Sequence, residues 1–185
     1  MKKLLLVFAL IALTVVACGG GKTTVTPPPS NPNGAILFSD DFSKNSSGWD
    51  IAEDENAKVG YDGGEYVMTV LNTAWDTWAN PGTKIFESNV VVDVDARHVS
   101  GPEDALLGVI CGYESVENFS VLALDLQGSA LIYRYTNGEY QELASQALPI
   151  PINTDTNHLT AYCQPEQLTL YVNGTQVLSA KDDYF

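Results

Sequence analysis

Two asparagine–glycine pairs, each lying between apolar runs, constrain the fold of this chain most strongly. In "LTLYVNGTQVLSA" (168–180) the pair is Asn173-Gly174, and in "IYRYTNGEYQEL" (132–143) it is Asn137-Gly138. Asn-Gly favours the tight type I′ turn between antiparallel strands, because both residues tolerate positive φ. A third chain reversal is expected at "YDGGEY" (61–66). The sequence therefore predicts hairpins of β-strands.

The runs between these turns also have the periodicity of strands. In "VVVDVDARHV", alternation places Val90, Val92, Val94 and Ala96 on one face of a half-buried strand. Further strands are expected at 65–71, 105–113 and 118–126, and 105–113 is apolar on both faces, which is typical of a central strand. Many antiparallel strands with short turns indicate an all-β sandwich of the jelly-roll type.

Several segments together resemble one fold family. "DDFSKNSSGWD", "GYDGGEYVMTV", "WDTWANPG", "VVVDVDAR", "GVICGYESVENFSVLALDLQG" and "LTLYVNG" are similar to the concanavalin A-like, laminin G-like jelly roll, and to uncharacterised bacterial surface lipoproteins and sensor domains with that fold. The resemblance covers 36–185 and implies two curved antiparallel sheets. Relatives mostly bind glycans or other ligands, and some hydrolyse glycans. It also implies a further strand after "KDDYF", so we expect the domain to be truncated and to lack its last strand.

The amino-terminal residues are typical of an export signal. Lys2 and Lys3 precede an apolar run from Leu4 to Ala17, which is shorter than the ~20 residues of a membrane span. "VVAC" resembles the lipobox of bacterial lipoproteins. That resemblance implies cleavage of 1–17 and acylation of Cys18, which would anchor the protein to a membrane on the extracytoplasmic side. An ordinary signal followed by an incidental cysteine is the alternative.

Residues 18–35 and the overall charge complete the organisation of the chain. The segment 18–35 is rich in glycine and proline, which predicts a tether between the anchor and the domain at 36–185. The formal net charge is −14. Such an acidic chain repels phosphate backbones, so we expect no nucleic-acid partner.

The other two cysteines, Cys111 and Cys163, each share a strand face with apolar residues. In an exported protein this arrangement favours a disulfide between them, and two separate buried thiols are the alternative. No C-x-x-C spacing is present, so a zinc site is not expected.

Acidic pairs were considered as catalytic or metal-binding groups. Asp93 and Asp95 lie on one face of a strand, at a spacing near that of a retaining glycosidase pair. The E-x-D-x-x-E motif of laminarinase-type relatives is absent, and Arg97 follows instead, which favours a salt-bridged solvent face without catalysis. We expect no catalytic residue and no required cofactor. A structural calcium ion at Asp40-Asp41 or Asp182-Asp183 is a separate hypothesis.

Aromatic residues provide the candidate ligand contacts. Trp75 and Trp78 are three apart, so on a regular strand they would face opposite sides, leaving one exposed for stacking on a sugar ring. The alternative is that a bulge lets both pack, or that one only covers the edge of the sandwich. Trp49 is expected to anchor the first loop to the core. Tyr133 and Tyr135, with Arg134 on the opposite face, form either a second ligand patch or ordinary cross-strand packing.

The sequence therefore predicts a lipid-anchored, extracytoplasmic protein with a non-catalytic, carbohydrate-binding jelly-roll domain. Its candidate ligand contacts are Trp75, Trp78, Asp93, Asp95, Tyr133 and Tyr135. A glycoside hydrolase of the same fold and a structural or protein-interaction domain of the cell envelope are the alternatives.

Overall fold

The computed structural model describes residues 34–73, 75–82 and 89–184. The predicted signal segment 1–17, Cys18 and nearly all of the predicted tether 18–35 lie outside the described residues. The described strands are β1 (Ala52–Glu53), β2 (Ala57–Asp62), β3 (Glu65–Val70), β4 (Val90–Ala96), β5 (Leu107–Ser115), β6 (Asn118–Leu124), β7 (Ser129–Thr136), β8 (Glu139–Ala147), β9 (Asn157–Gln164), β10 (Gln167–Val172) and β11 (Thr175–Ala180).

Two four-stranded antiparallel sheets face each other and form the body of the fold. One has the order β5-β6-β7-β8, and the other has the order β11-β10-β9-β4. We call them the front sheet and the back sheet. Strands β7 and β8 contact β11, β6 contacts β10, and β5 contacts β9, so the sheets are layered strand over strand. The all-β sandwich predicted from the sequence is confirmed.

The core between the two sheets consists of the alternate side chains that each sheet directs inward. The fully buried members include Leu122, Leu124, Ile132, Leu159, Leu170 and Val172. Val90, Val92, Val94 and Ala96 pack against this core from β4, and Val91, Asp93 and Asp95 are exposed on the other face. The alternation read from the sequence is confirmed for this strand.

The predicted hairpins are also confirmed. Asn137 and Asn173 have φ of 52° and 51°, and the glycines that follow them have φ of 84° and 78°. Positive φ at both central residues is the signature of the type I′ turn. These turns join β7 to β8 and β10 to β11.

The prediction of a central strand at 105–113 was wrong. The strand at this position, β5, is at the edge of the front sheet, and β6 lies between β5 and β7. Six of the seven residues of β6 are buried, because the inward residues enter the core and Phe119, Val121 and Ala123 are covered on the outer face. The outward apolar residue of β5, Ile110, packs at the margin of this outer cluster.

Strands β1, β2 and β3 form a third, smaller sheet, which was not predicted, although the reversal expected at 61–66 is confirmed as the turn between β2 and β3. Trp49 packs here, against Phe42 and Tyr66 with ring centroids 5.4 and 5.3 Å apart. The expectation that Trp49 anchors the first loop to the main core was therefore wrong. Trp49 belongs to a separate aromatic cluster beside the small sheet.

The Cys111–Cys163 disulfide is confirmed, and it links the two large sheets. Cys111 lies on β5 and Cys163 on β9, and their Cα atoms are 5.5 Å apart. Both residues are buried in the core. The crosslink encloses a chain segment with a sequence separation of 52 residues, which corresponds to a loss of unfolded-chain entropy of about 4 kcal/mol.

Candidate functional site

A line of aromatic rings crosses the outer face of the front sheet. Tyr113, Phe119, Tyr135 and Tyr140 come from β5, β6, β7 and β8 in that order. Successive ring centroids are 6.1, 5.2 and 4.5 Å apart. We call these four residues the aromatic row. Because neighbouring strands are about 4.8 Å apart, the row extends roughly 14 Å across the sheet.

Strand alternation explains how most of the aromatic row is positioned. Phe119 pairs with Tyr135 in register, and Tyr135 pairs with Tyr140. Directly paired residues share a face, and the residues that flank Phe119 and Tyr135 point inward toward the core side. The register between β6, β7 and β8 therefore aligns Phe119, Tyr135 and Tyr140 on one face of the sheet.

Tyr113 reaches the row through an irregularity in β5. The sequence places Tyr113 on the inward face with Cys111, but its ring stacks on Phe119, which is on the outer face. The β5–β6 register shifts between Cys111 and Ser115, and Gly112 has a φ of 59°. This bulge rotates Tyr113 outward.

The segment 75–82 crosses over this face and contributes two contacts. The Trp78 ring lies 5.4 Å from that of Phe119, and the Tyr140 hydroxyl donates a hydrogen bond to Asp76. Trp75, the residue before Asp76, is 49% exposed. The segment therefore covers the middle of the row, and Tyr113 and Tyr140 remain 38% and 56% exposed at its ends.

The residues from Trp75 to Trp78 are not in a strand, so strand alternation does not set the directions of the two tryptophans. Nevertheless one tryptophan is packed and the other is half exposed. Tyr133 and Tyr135 are partly buried and pack against their neighbours on the sheet. Cross-strand packing, one of the two alternatives from the sequence, describes them. Tyr140, Tyr113, Phe119 and Asp76 are members of the site that sequence reasoning missed.

Burial raises the pKa of two phenols of the front sheet, those of Tyr133 and Tyr140. Burial, and then the charge of Asp76, raise the pKa of Tyr133 to about 12. Burial also raises the pKa of Tyr140, and its hydrogen bond to Asp76 adds to that rise. Glu142 pairs with Tyr133 in register and accepts a 2.7 Å hydrogen bond from Ser145. Two carboxylates, those of Asp76 and Glu142, thus stand beside neutral phenols.

Asp93 and Asp95 lie elsewhere, on the outer face of the back sheet, where both contact His158. The His158 Nδ1 atom is 2.7 Å from Asp95, and its Nε2 atom is 3.3 Å from Asp93. Thr160 also donates a 2.6 Å hydrogen bond to Asp93. The hydrogen bond to Asp95, aided by the charges of both aspartates, raises the pKa of His158.

The salt-bridged solvent face predicted for Asp93 and Asp95 is observed, but its partner is His158 and not Arg97. Arg97 instead binds Glu65 of the small sheet with two guanidinium nitrogens. The structure therefore does not bring Asp93 and Asp95 to the aromatic row with Trp78, Tyr133 and Tyr135. The candidate residues divide between opposite outer faces of the sandwich.

The two candidate calcium positions have protein partners in the structure. Asp40 and Asp41 accept hydrogen bonds from the backbone amides of Phe42 and Ser43. Asp182 is buried, accepts a hydrogen bond from Ser120 and pairs with Arg134. Within the described ranges, no three His, Cys, Asp or Glu side chains cluster in a way that could hold a metal ion. Calcium binding stays a prediction.

Two crevices, of about 440 and 300 Å³, are found beside the small sheet. Both are lined in part by Asn45, Tyr61 and Asp62. They include none of the predicted ligand contacts. In the part of the chain that the structure describes, no helix has the length and apolar character needed to cross a membrane.

Comparisons with known proteins give one structural likeness. No family model matches the chain, and no curated protein matches it. Among solved structures, the chain is similar to the carbohydrate-binding module CBM66 from Bacillus subtilis, with 18% sequence identity and a TM-score of 0.47. The match covers 54% of this chain and 62% of that module. The likeness thus spans less than two thirds of the module's length.

Proposed function

We propose that the domain is a non-catalytic glycan-binding module and that the front sheet carries its site. The observation that carries this proposal is the aromatic row, with Tyr113, Tyr140 and the neighbouring Trp75 partly exposed around it. Aromatic rings have an apolar face that suits the C–H face of a sugar, and tyrosine adds a polar hydroxyl. Clustered exposed apolar surface on a soluble domain commonly marks a binding site.

The contact between Asp76 and Tyr140 supports a preformed site. Asp76 accepts from the Tyr140 hydroxyl, and this bond links the 75–82 segment to the β8 edge of the sheet. Trp78 fixes the same segment over Phe119. A ligand that meets ordered rings loses little affinity to the ordering of side chains.

The absence of catalysis is part of the proposal. Asp93 and Asp95, the strand-borne acid pair, are both engaged by His158, and the sequence lacks the E-x-D-x-x-E pattern. Neither carboxylate stands near the aromatic row. We also propose that the sandwich is related to the concanavalin A-like jelly rolls, which the sequence resemblance and the two facing four-stranded sheets support.

Glycan binding is tested by titrating the ectodomain, from Gly19 onward, against a broad panel of polysaccharides. Trp75→Ala and Tyr140→Ala are each expected to weaken binding about tenfold, the loss expected when about 1.4 kcal/mol of stacking is removed. Met68→Ala is the control, because Met68 is 52% exposed on the small sheet and should leave binding unchanged. A folded ectodomain that binds no glycan of the panel would overturn the proposal.

We further propose that acylated Cys18 holds the domain on the extracytoplasmic side of a bacterial membrane. The "VVAC" sequence and the glycine- and proline-rich residues that follow it support this anchor. Replacement Cys18→Ser should abolish incorporation of labelled fatty acid and move the protein from the membrane fraction to the soluble fraction. A Cys18→Ser protein that stays in the membrane fraction with its label would show that the anchor lies elsewhere.

A further inference from the structure

We propose that the aromatic row selects a glycan that carries amino groups, namely a cationic amino-sugar polysaccharide. This inference rests on the proposed glycan-binding function and adds the charge of the ligand. It follows from the distribution of charge around the row.

The strands of the front sheet carry more acidic than basic residues. They contain three acidic residues, Glu114, Glu139 and Glu142, and a single basic residue, Arg134. Arg134 points away from the row and binds Asp182 at 2.7 Å, with only 14% of its side chain exposed. Its charge is therefore used inside the sandwich and is not presented to a ligand on the outer face.

Carboxylates lie beside the rings that remain accessible. Asp76 contacts the Tyr140 hydroxyl, and Glu142 is the register partner of Tyr133. Both carboxylates are exposed, and neither forms a salt bridge with another described residue. At the other end of the row, Glu114 follows Tyr113 directly in the sequence and is also exposed.

This combination of rings and acids matches an ammonium-bearing sugar. An ammonium group is attracted both to a carboxylate and to the face of an aromatic ring. A uronic-acid or sulfated polymer would be repelled by the same acids. The Tyr133 and Tyr140 phenols are neutral and add no negative charge of their own, and the Tyr140 hydroxyl donates its hydrogen to Asp76.

A glycan suits the surface better than a basic peptide does. The rings follow one line across four paired strands, which fits a polymer of flat repeating units. A peptide would present lysine ammonium groups on flexible stems, and ordering those stems opposes binding.

The test compares two oligomers of equal length, glucosamine and N-acetylglucosamine, which differ only in the free amine. We expect the glucosamine oligomer to bind about tenfold more tightly at mildly acidic pH and low salt, and this preference should shrink at high salt because the carboxylates become screened. Asp76→Asn and Glu142→Gln should each reduce the preference about threefold. Glu55→Gln removes one charge between β1 and β2 and should leave the preference for the glucosamine oligomer unchanged.

Other outcomes separate this inference from the proposed function. Equal or tighter binding of the acetylated oligomer, or of an oligogalacturonate, would overturn the charge selection while leaving glycan binding intact. Failure of every oligomer and polysaccharide to bind would overturn both. Binding of polylysine as tight as that of the amino glycan, and insensitive to Trp75→Ala, would show a general polycation site instead.

Discussion

At the scale of single residues, His158 has the most constrained charged environment on the back sheet. It is one of two histidines in the chain, and each of its ring nitrogens faces a carboxylate, Asp95 on one side and Asp93 on the other. The register of β4 and β9 places His158 directly opposite Asp95. A protonated imidazole satisfies both acids at once, so the folded state favours the charged ring.

The raised pKa of His158 makes stability depend on pH in a definite direction. The contribution of His158 is fully present below the unfolded-state pKa, about 6.5, and is lost as the pH rises through the higher folded-state value. His158→Gln should therefore lower the melting temperature more at pH values below that of the unfolded histidine than in alkaline buffer. Thermal unfolding of both proteins across the pH range measures this difference.

The neighbouring aspartate provides the matched comparison. Asp95→Asn removes the carboxylate that contributes most to the raised pKa of His158. In a protein that carries Asp95→Asn, the added replacement His158→Gln should therefore lower the melting temperature by more similar amounts in acidic and alkaline buffer. A His158→Gln protein that loses the same stability at every pH would contradict the assignment of a raised pKa.

At the scale of elements, the close packing of β5 against β6 is the tightest feature of the front sheet. Gly108 on β5 pairs with Ala123 on β6. A Cβ atom at Gly108 would lie 2.7 Å from the carbonyl oxygen of Leu122 and 2.8 Å from the Cβ atom of Ala123. The backbone of the central strand β6 cannot move easily, so only glycine, which has no Cβ atom, fits at position 108 of β5.

Gly108→Ala should therefore destabilise the domain by about 1–3 kcal/mol, the usual cost of overpacking. Gly60→Ala on β2 is the matched control, since its Cβ would meet only Ile51, at an ordinary 3.6 Å. Urea unfolding of the two variants measures both effects. Equal stability of Gly108→Ala and the wild-type protein would mean that β5 and β6 separate more readily than their packing indicates.

At the scale of the whole molecule, a buried ion pair ties the segment 181–184 to the front sheet. Asp182 and Arg134 are 48 residues apart in sequence, and their side chains are only 3% and 14% exposed. Asp182 also accepts a 2.6 Å hydrogen bond from Ser120 of β6, and the Arg134 guanidinium lies 5.0 Å from the Tyr184 ring centroid. These contacts bring β6, β7 and the chain after β11 together.

Asp182→Ala should destabilise the domain by about 3–5 kcal/mol, because it leaves the Arg134 charge buried without its partner. Asp183→Ala is the internal control. The Asp183 carboxylate is 94% exposed and 3.8 Å from Arg134, so its loss should change stability by less than about 1 kcal/mol. Comparable losses from the two variants in chemical denaturation would contradict the view that burial sets the strength of this pair.

Residues of the candidate site could be predicted where nearby sequence identifies them, and were missed where contacts between distant parts of the chain position them. Local composition was enough to select Trp75, Trp78, Tyr133 and Tyr135, and alternation was enough to place the two tyrosines on the same strand face. Tyr140 and Asp76 were missed because their hydrogen bond joins residues 64 apart in sequence. Tyr113 was assigned to the wrong face because a bulge, which period-2 alternation does not reveal, rotates it outward.

The sequence by itself determined the features that depend on neighbouring residues: the all-β class, the Asn-Gly hairpins and the two faces of β4. It also favoured the pairing of Cys111 with Cys163, because both lie on apolar strand faces and the amino-terminal residues predict export to an oxidising compartment. Tertiary structure alone decided the order of the strands, so that β6, and not β5, is covered on both faces. It also decided that His158 binds Asp93 and Asp95, and that four aromatic rings align on one sheet, because these contacts depend on register between strands far apart in the chain.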